Sequence, residues 1–155
     1  MIQRIQSLYL ILTTIFSGIF LSGKIVSFTV NSENSLFINL KGLTRITEAG
    51  LAENIERIIP LSIILLVIPV LSLLIIFLYK KRKLQIRLTR GLVCLIVILI
   101  IMLVYYSGFV IRNFDAEIHP RLNLIFLLLM LISAILALRG IKKDENLIKS
   151  YDRLR

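Results

Sequence analysis

The segment YKKRKLQIRLTR, residues 79–90, contains six basic residues and no acidic residue, and it lies between two long uncharged apolar runs. Short basic segments between membrane spans stay in the cytoplasm, a regularity known as the positive-inside rule. The segment therefore predicts the sidedness of every other loop in the chain.

The composition is that of a membrane protein. Apolar residues make up 57% of the 155 residues, whereas soluble domains contain about 45–50%. Four uncharged runs have the length of about 17–25 residues that a helix needs to cross a bilayer, and they cover about 5–23, 58–79, 91–111 and 122–138. Because lipid cannot hydrogen-bond to exposed backbone, we predict helices. The expected fold is an all-α membrane protein, a four-transmembrane-helix bundle that forms one integral membrane domain over residues 1–155.

The predicted topology separates the charges. With Arg4, the loop 80–90 and the tail 139–155 in the cytoplasm, thirteen basic and three acidic residues lie inside, which accounts for the whole net charge of +10. The outer loops 24–57 and 112–121 balance six basic against six acidic residues. Both termini are therefore expected in the cytoplasm. The first run also has features of a signal peptide, but cleavage there would leave the remaining topology unchanged.

The outer loop 24–57 is expected to contain a small β-hairpin. Residues 24–30 are rich in β-branched side chains, residues 31–35 resemble a turn, and residues 36–40 form a second apolar run. From about Thr47, the spacing of Leu51, Ile55 and Ile58 predicts a short amphipathic helix that leads into the second span. This loop is either a docking surface for a partner or a cap on the bundle.

The spans contain no ionisable residue of the kind that proton relays and ion pathways need, which disfavours an autonomous transporter. Thr14, Gly18 and Ser22 recur at every fourth position and predict a helix-packing stripe, and Ser133 and Ala137 predict a shorter one. The single cysteine, Cys94, excludes an internal disulfide.

The candidate contact residues lie in the inner loop and the tail. If the tail is helical, its apolar residues share one broad face, as in helices that lie on a leaflet or dock on a partner. Candidates for contact with a partner or with anionic lipid are Lys80, Lys81, Arg82, Lys83, Arg87, Arg90, Tyr151, Arg153 and Arg155. His119 is expected in a solvated turn, and we predict no catalytic, cofactor or metal site.

Three motifs carry a family resemblance. The opening MIQRIQ (1–6), the junction IFLYK (76–80) followed by RKLQIR (82–87), and the ending KDE (143–145) with Leu147 and SYDRLR (150–155) resemble the domain of unknown function 4293 family. The resemblance covers the whole chain. It implies a small four-span protein of the inner membrane of Bacteroidota, and it implies no activity.

The expected function is that of a non-catalytic accessory or scaffold subunit, which binds partners through its basic cytoplasmic loop and tail. The first alternative is a small homo-oligomeric channel or transporter. The second is a protein that binds anionic lipid, since each basic residue near an anionic leaflet contributes about 1 kcal/mol. No aromatic interleaving or motif indicates nucleic acid as a partner.

Overall fold

The chain forms four long helices and five short strands. The computed structural model describes residues 3–30, 34–40, 42–46, 52–56, 58–78, 81–114, 116–119 and 122–153. In chain order the elements are α1 (Gln3–Ser22), β1 (Val26–Val30), β2 (Asn34–Asn39), β3 (Gly42–Ile46), β4 (Ala52–Glu56), α2 (Ile59–Phe77), α3 (Arg82–Phe114), β5 (Glu117–His119) and α4 (Asn123–Arg153).

The four helices pack as a ring in which α1 and α3 each contact both α2 and α4. The start of α1 meets the end of α4 through a hydrogen bond from Gln6 to Asp144, and the start of α3 meets the end of α2 through a bond from Gln85 to Ile75. Sequential helices therefore run antiparallel. We call the end of the bundle that contains these contacts the basic end, and the opposite end, which contains the strands, the sheet end.

The bundle has an apolar exterior and small polar residues in its interior. All four helices are long and apolar enough to cross a membrane. Large apolar side chains are exposed along them, including Leu8 at 54%, Ile63 at 55% and Val104 at 69%. Thr13, by contrast, is fully buried. Lipid makes such an exterior favourable, and small residues let membrane helices approach closely.

A five-stranded antiparallel sheet covers the sheet end, with strand order β4-β3-β2-β1-β5. β1 and β2 pair from Val26 opposite Ile38 to Val30 opposite Asn34. This confirms the predicted hairpin. Phe28, which is fully buried, belongs to the main apolar core together with side chains of all four helices.

Two side chains tie the sheet to the helices. Ser62 of α2 donates a hydrogen bond to the carbonyl of Leu40, at the turn between β2 and β3. Asn123 at the start of α4 donates to the carbonyl of Lys24, just before β1, at 2.8 Å. The sheet is therefore anchored to both the second and the fourth helix.

The sheet is larger than the predicted hairpin. The predicted amphipathic helix after Thr47 is wrong where the structure describes it, because Ala52–Glu56 is strand β4 paired with β3; residues 47–51 lie outside the described residues. Backbone hydrogen bonds along the open edge of β3 outweigh a weak helical spacing in so short a segment. β5 comes from the second predicted outer loop and pairs with β1.

Two helices extend further at the basic end than the apolar runs indicated. α3 begins at Arg82, so most of the predicted loop 80–90 is helical and only residues 78–81 separate α2 from α3. α4 continues through the predicted tail to Arg153, so the tail is helical as far as that residue.

Candidate functional site

The first turns of α3 have two distinct faces. Gln85, Ile86 and Thr89 are buried, whereas Lys83, Arg87 and Arg90 are exposed at positions i, i+4 and i+7. This spacing places the three basic side chains along one stripe of the helix. We define the basic surface as the exposed basic residues of the basic end, which are Lys81, Lys83, Arg87, Arg90, Arg139, Lys142 and Lys143.

A buried hydrogen bond ties the start of α3 to α2. Gln85, which is 5% exposed, donates from Nε2 to the carbonyl of Ile75 at 3.4 Å. This carbonyl, in the last turn of α2, also accepts from the backbone N–H of Leu78 at 3.2 Å. Within α3, the buried hydroxyl of Thr89 donates to the carbonyl of Gln85 at 2.8 Å. The basic stripe is therefore mounted on a helix whose opposite face is buried and bonded to α2.

A second polar contact fixes the other half of the basic surface. Gln6 of α1 is buried and donates from Nε2 to Oδ2 of Asp144 on α4, one residue beyond Lys143. The helices can approach here because residue 140 is glycine: a Cβ atom added at Gly140 would lie 3.0 Å from Cγ of Gln6. This contact orients the stretch of α4 that contains Lys142 and Lys143.

The predicted packing stripe is only partly at a helix interface. Thr14 makes an interhelical hydrogen bond of 2.7 Å to Ser72 of α2. Gly18 has no neighbouring atom within 4 Å of the position that a Cβ would occupy, and Ser22 is exposed and donates to the carbonyl of Gly18. The most buried row of α1 comprises Gln6, Leu10, Thr13, Ser17 and Phe20.

The shorter predicted stripe of α4 lies inside the bundle. Ser133 is 4% exposed and Ala137 is fully buried, and the hydroxyl of Ser133 lies 2.9 Å from that of Thr13. Each hydroxyl also contacts a backbone carbonyl of its own helix, Tyr9 for Thr13 and Met130 for Ser133. Since two hydroxyl protons serve three contacts, only two of these bonds exist at one time.

An apolar cleft opens between α3 and α4 near the sheet end. We call it the sheet-end cleft. It has a volume of about 510 Å³, and among the described residues that line it Ser107 is the only one with a polar side chain. Val26 of β1 and Ile118 of β5 contribute to its lining from the sheet. A smaller hollow of about 340 Å³ adjoins it along α3 and includes Arg112 and Asn113.

The sequence matches one family of known proteins over nearly its whole length. The sequence model of that family, described as a domain of unknown function (DUF4293), matches residues 2–154. The chain belongs to the DUF4293 family. No curated protein and no solved structure matches it. Membership in DUF4293 brings no activity with it, so the role of this protein has to be inferred from its own surfaces.

Five of the predicted contact residues of this DUF4293 protein are not part of the basic surface as defined above. Arg82 is half-buried at the first position of α3. Tyr151 and Arg153 lie on the last turns of α4, with side chains outside the described part of the chain, and Lys80 and Arg155 lie wholly outside it.

His119 lies in β5 rather than in a turn. Its side chain is exposed, and its carbonyl accepts a hydrogen bond from Ser27. Across the described residues, no group of three or more His, Cys, Asp or Glu side chains is arranged to hold a metal ion.

Sequence reasoning did not single out Gln6, Gln85 and Thr89 as residues that position the basic surface. One signal was available for α3, because the spacing of Lys83, Arg87 and Arg90 opposite Gln85, Ile86 and Thr89 already indicates an amphipathic helix. No comparable signal connects Gln6 with Asp144, which are 138 residues apart in the chain.

Proposed function

We propose that this DUF4293 protein is a non-catalytic accessory or scaffold subunit of the cell inner membrane, which binds an acidic partner protein through its basic surface. The observation that carries the proposal is the mounting of Lys83, Arg87 and Arg90 on one stripe of a helix whose other face is packed into the bundle. Charged side chains on a fixed helix lose less conformational freedom on binding than charges on a flexible loop.

Helix length supports a surface that projects from the bilayer. The 33 residues of α3 extend over about 50 Å at 1.5 Å per residue, whereas the hydrocarbon core is about 30 Å thick. The uncharged run begins at Gly91, so residues 82–90 form an extension of roughly 13 Å. The charged part of α3 is then accessible to a partner in the aqueous phase.

The positive-inside rule supports a cytoplasmic location for the basic surface. Arg4, residues 80–90 and residues 139–155 together hold thirteen of the nineteen basic residues of the sequence. In the described part of the chain, the start of α1, the start of α3 and the end of α4 all lie at the basic end. The proposed arrangement is a multi-pass protein with its N and C termini in the cytoplasm.

The test is purification of a tagged protein from native membranes in mild detergent, with partners identified by mass spectrometry. We expect a stoichiometric partner with the wild-type chain and its loss after combined Lys83→Glu, Arg87→Glu and Arg90→Glu substitution. Glu117→Lys is the control, because it reverses one exposed charge at the sheet end, away from the basic surface. Retention of the partner by the triple variant, or its loss from the control, would contradict the proposal.

The same surface also fits the headgroups of an anionic leaflet, since its basic residues lie just beyond an uncharged span. If lipid binding is the function, the purified protein should bind phosphatidylglycerol in the absence of any protein partner. This binding should weaken when salt is added and when the triple substitution is made.

The homo-oligomeric channel stays a prediction, and its tests are the native mass of the protein and solute flux in liposomes.

A further inference from the structure

The sheet-end cleft has the size and chemistry of a site for an apolar ligand. Its volume of about 510 Å³ falls in the range of about 300–1,000 Å³ typical of small-molecule sites. Leu103 and Leu127 are nearly buried in its floor, and Val104 and Leu128 form exposed rims at 69% and 58%. A cavity with so little polar lining does not hold ordered water.

Small residues create the cleft. Ser107 and Gly108 lie side by side on the wall formed by α3, and a Cβ atom added at Gly108 would meet no atom within 4 Å. The α3 lining runs from Ile100 to Ile111, which corresponds to roughly 16 Å along the helix axis. This length is about half of a bilayer's hydrocarbon thickness. The cleft therefore has the dimensions of a groove within one leaflet.

Arg112, the charged residue next to the cleft, follows the apolar part of α3 and is therefore expected at the level of the lipid headgroups. Gly91 to Ile111 is the uncharged run of α3, and Arg112 is the first charged residue after it. Arg112 is exposed and shares the adjoining hollow with Asn113, Val104 and Gly108, the last two of which also line the cleft. A guanidinium group binds phosphate through two parallel hydrogen bonds.

We propose that the sheet-end cleft holds one acyl chain of a membrane phospholipid whose phosphate lies against Arg112. Gly108 lines both the apolar cleft and the hollow that contains Arg112. A phospholipid bound here would have its acyl chain in the cleft at hydrocarbon depth and its phosphate beside Arg112 at the membrane interface. This site is at the opposite end of the bundle from the basic surface and does not depend on the proposed partner.

The experiment is titration of the full-length protein in mild detergent with dioleoyl phosphatidylglycerol, followed by native mass spectrometry. Dioleoylglycerol, which has the same chains and no phosphate, is the matched ligand. Gly108→Leu fills the cleft, and Gly91→Leu is the matched protein control because Gly91 lies on the same helix and also has open space beside it. We expect one phospholipid to bind to the wild type and to Gly91→Leu, and none to Gly108→Leu.

Two further variants separate the contribution of the acyl chains to lipid affinity from that of the headgroup. Arg112→Gln should weaken phosphatidylglycerol binding about fivefold, as expected for one basic residue at an anionic headgroup, and it should leave dioleoylglycerol binding unchanged. Leu128→Phe narrows the cleft from α4 and replaces Gly108→Leu if that variant does not fold, as judged by circular dichroism.

Several results would overturn the proposal. Equal lipid affinity of Gly108→Leu and Gly91→Leu would exclude the cleft, and equal affinity of the two ligands would exclude the role of Arg112. Lipid loss only after substitution of Lys83, Arg87 and Arg90 would assign the lipid to the basic surface. A dimer that Gly108→Leu dissociates, without bound lipid, would make this face a contact between copies.

Discussion

Replacement of Gly140 by alanine tests how α1 and α4 meet at the basic end. In a helix interior, Gly→Ala ordinarily stabilises by about 0.5–1 kcal/mol, since alanine loses less backbone entropy on folding. At Gly140 the new methyl group would lie 3.0 Å from Cγ of Gln6, a buried side chain bonded to Asp144. Gln6 must then shift by a few tenths of an ångström, and we expect this shift to break its hydrogen bond to the carboxylate.

The two effects oppose each other. A hydrogen bond to a charged group contributes about 1.5–3 kcal/mol, so Gly140→Ala should lower the free energy of unfolding by about 0.5–2.5 kcal/mol after the helix-propensity gain is subtracted. Because Asp144 is only half-buried, we expect the lower half of this range. The other carboxylate oxygen of Asp144, Oδ1, is buried and has no hydrogen-bond partner among the described residues that would compensate.

Denaturant titration in mild detergent, followed by circular dichroism, measures this free energy. Gly91→Ala is the control, since a Cβ there meets no atom within 4 Å, and it should stabilise by about 0.5–1 kcal/mol. In a Gln6→Ala background the obstacle is gone, so Gly140→Ala should also become stabilising. If Gly140→Ala stabilises the wild type as much as Gly91→Ala does, a methyl group at residue 140 does not disturb the contact between Gln6 and Asp144.

Two further experiments test the contacts between elements. A double-mutant cycle of Thr13→Val and Ser133→Ala should give a coupling of about 0.6 kcal/mol, the average for hydrogen bonds between membrane helices; zero coupling would mean that the 2.9 Å contact between the hydroxyls does not stabilise the bundle. Gly23→Ala should cost about 1 kcal/mol, because its methyl group would overlap the amide of Asn123 and break that amide's bond to Lys24. The cost should vanish in an Asn123→Ala background, and its persistence there would contradict the assignment.

The packing stripe of α1 shows where sequence reasoning reached its limit. The spacing of Thr14, Gly18 and Ser22 is as regular as that of the buried row that includes Thr13 and Ser17. The two rows lie on adjacent faces, and the sequence of α1 alone does not select between them. The choice depends on contacts with α2 on one side and α4 on the other, and both partners are distant in the chain.

The segment Ala52–Glu56 was assigned to the wrong class for a similar reason. Its apolar spacing favoured a helix, but five residues offer little helical stability because a costly first turn must form before further bonds are gained. Pairing with β3 supplies hydrogen bonds across the chain instead. The start of α3 was predicted as part of a loop because of its charges, although the spacing of its exposed basic residues and its buried residues is that of an amphipathic helix.

Four long apolar helices, the β1–β2 hairpin and the concentration of positive charge near one end can all be predicted from the amino-acid sequence. These features depend on residue types along short stretches of chain, so composition and spacing are enough to predict them. The buried face of each helix, the joining of five strands into one sheet and the position of the sheet-end cleft become visible only in the folded chain. Each of these features needs two or more elements that are far apart in the chain, and it follows from how their side chains pack together.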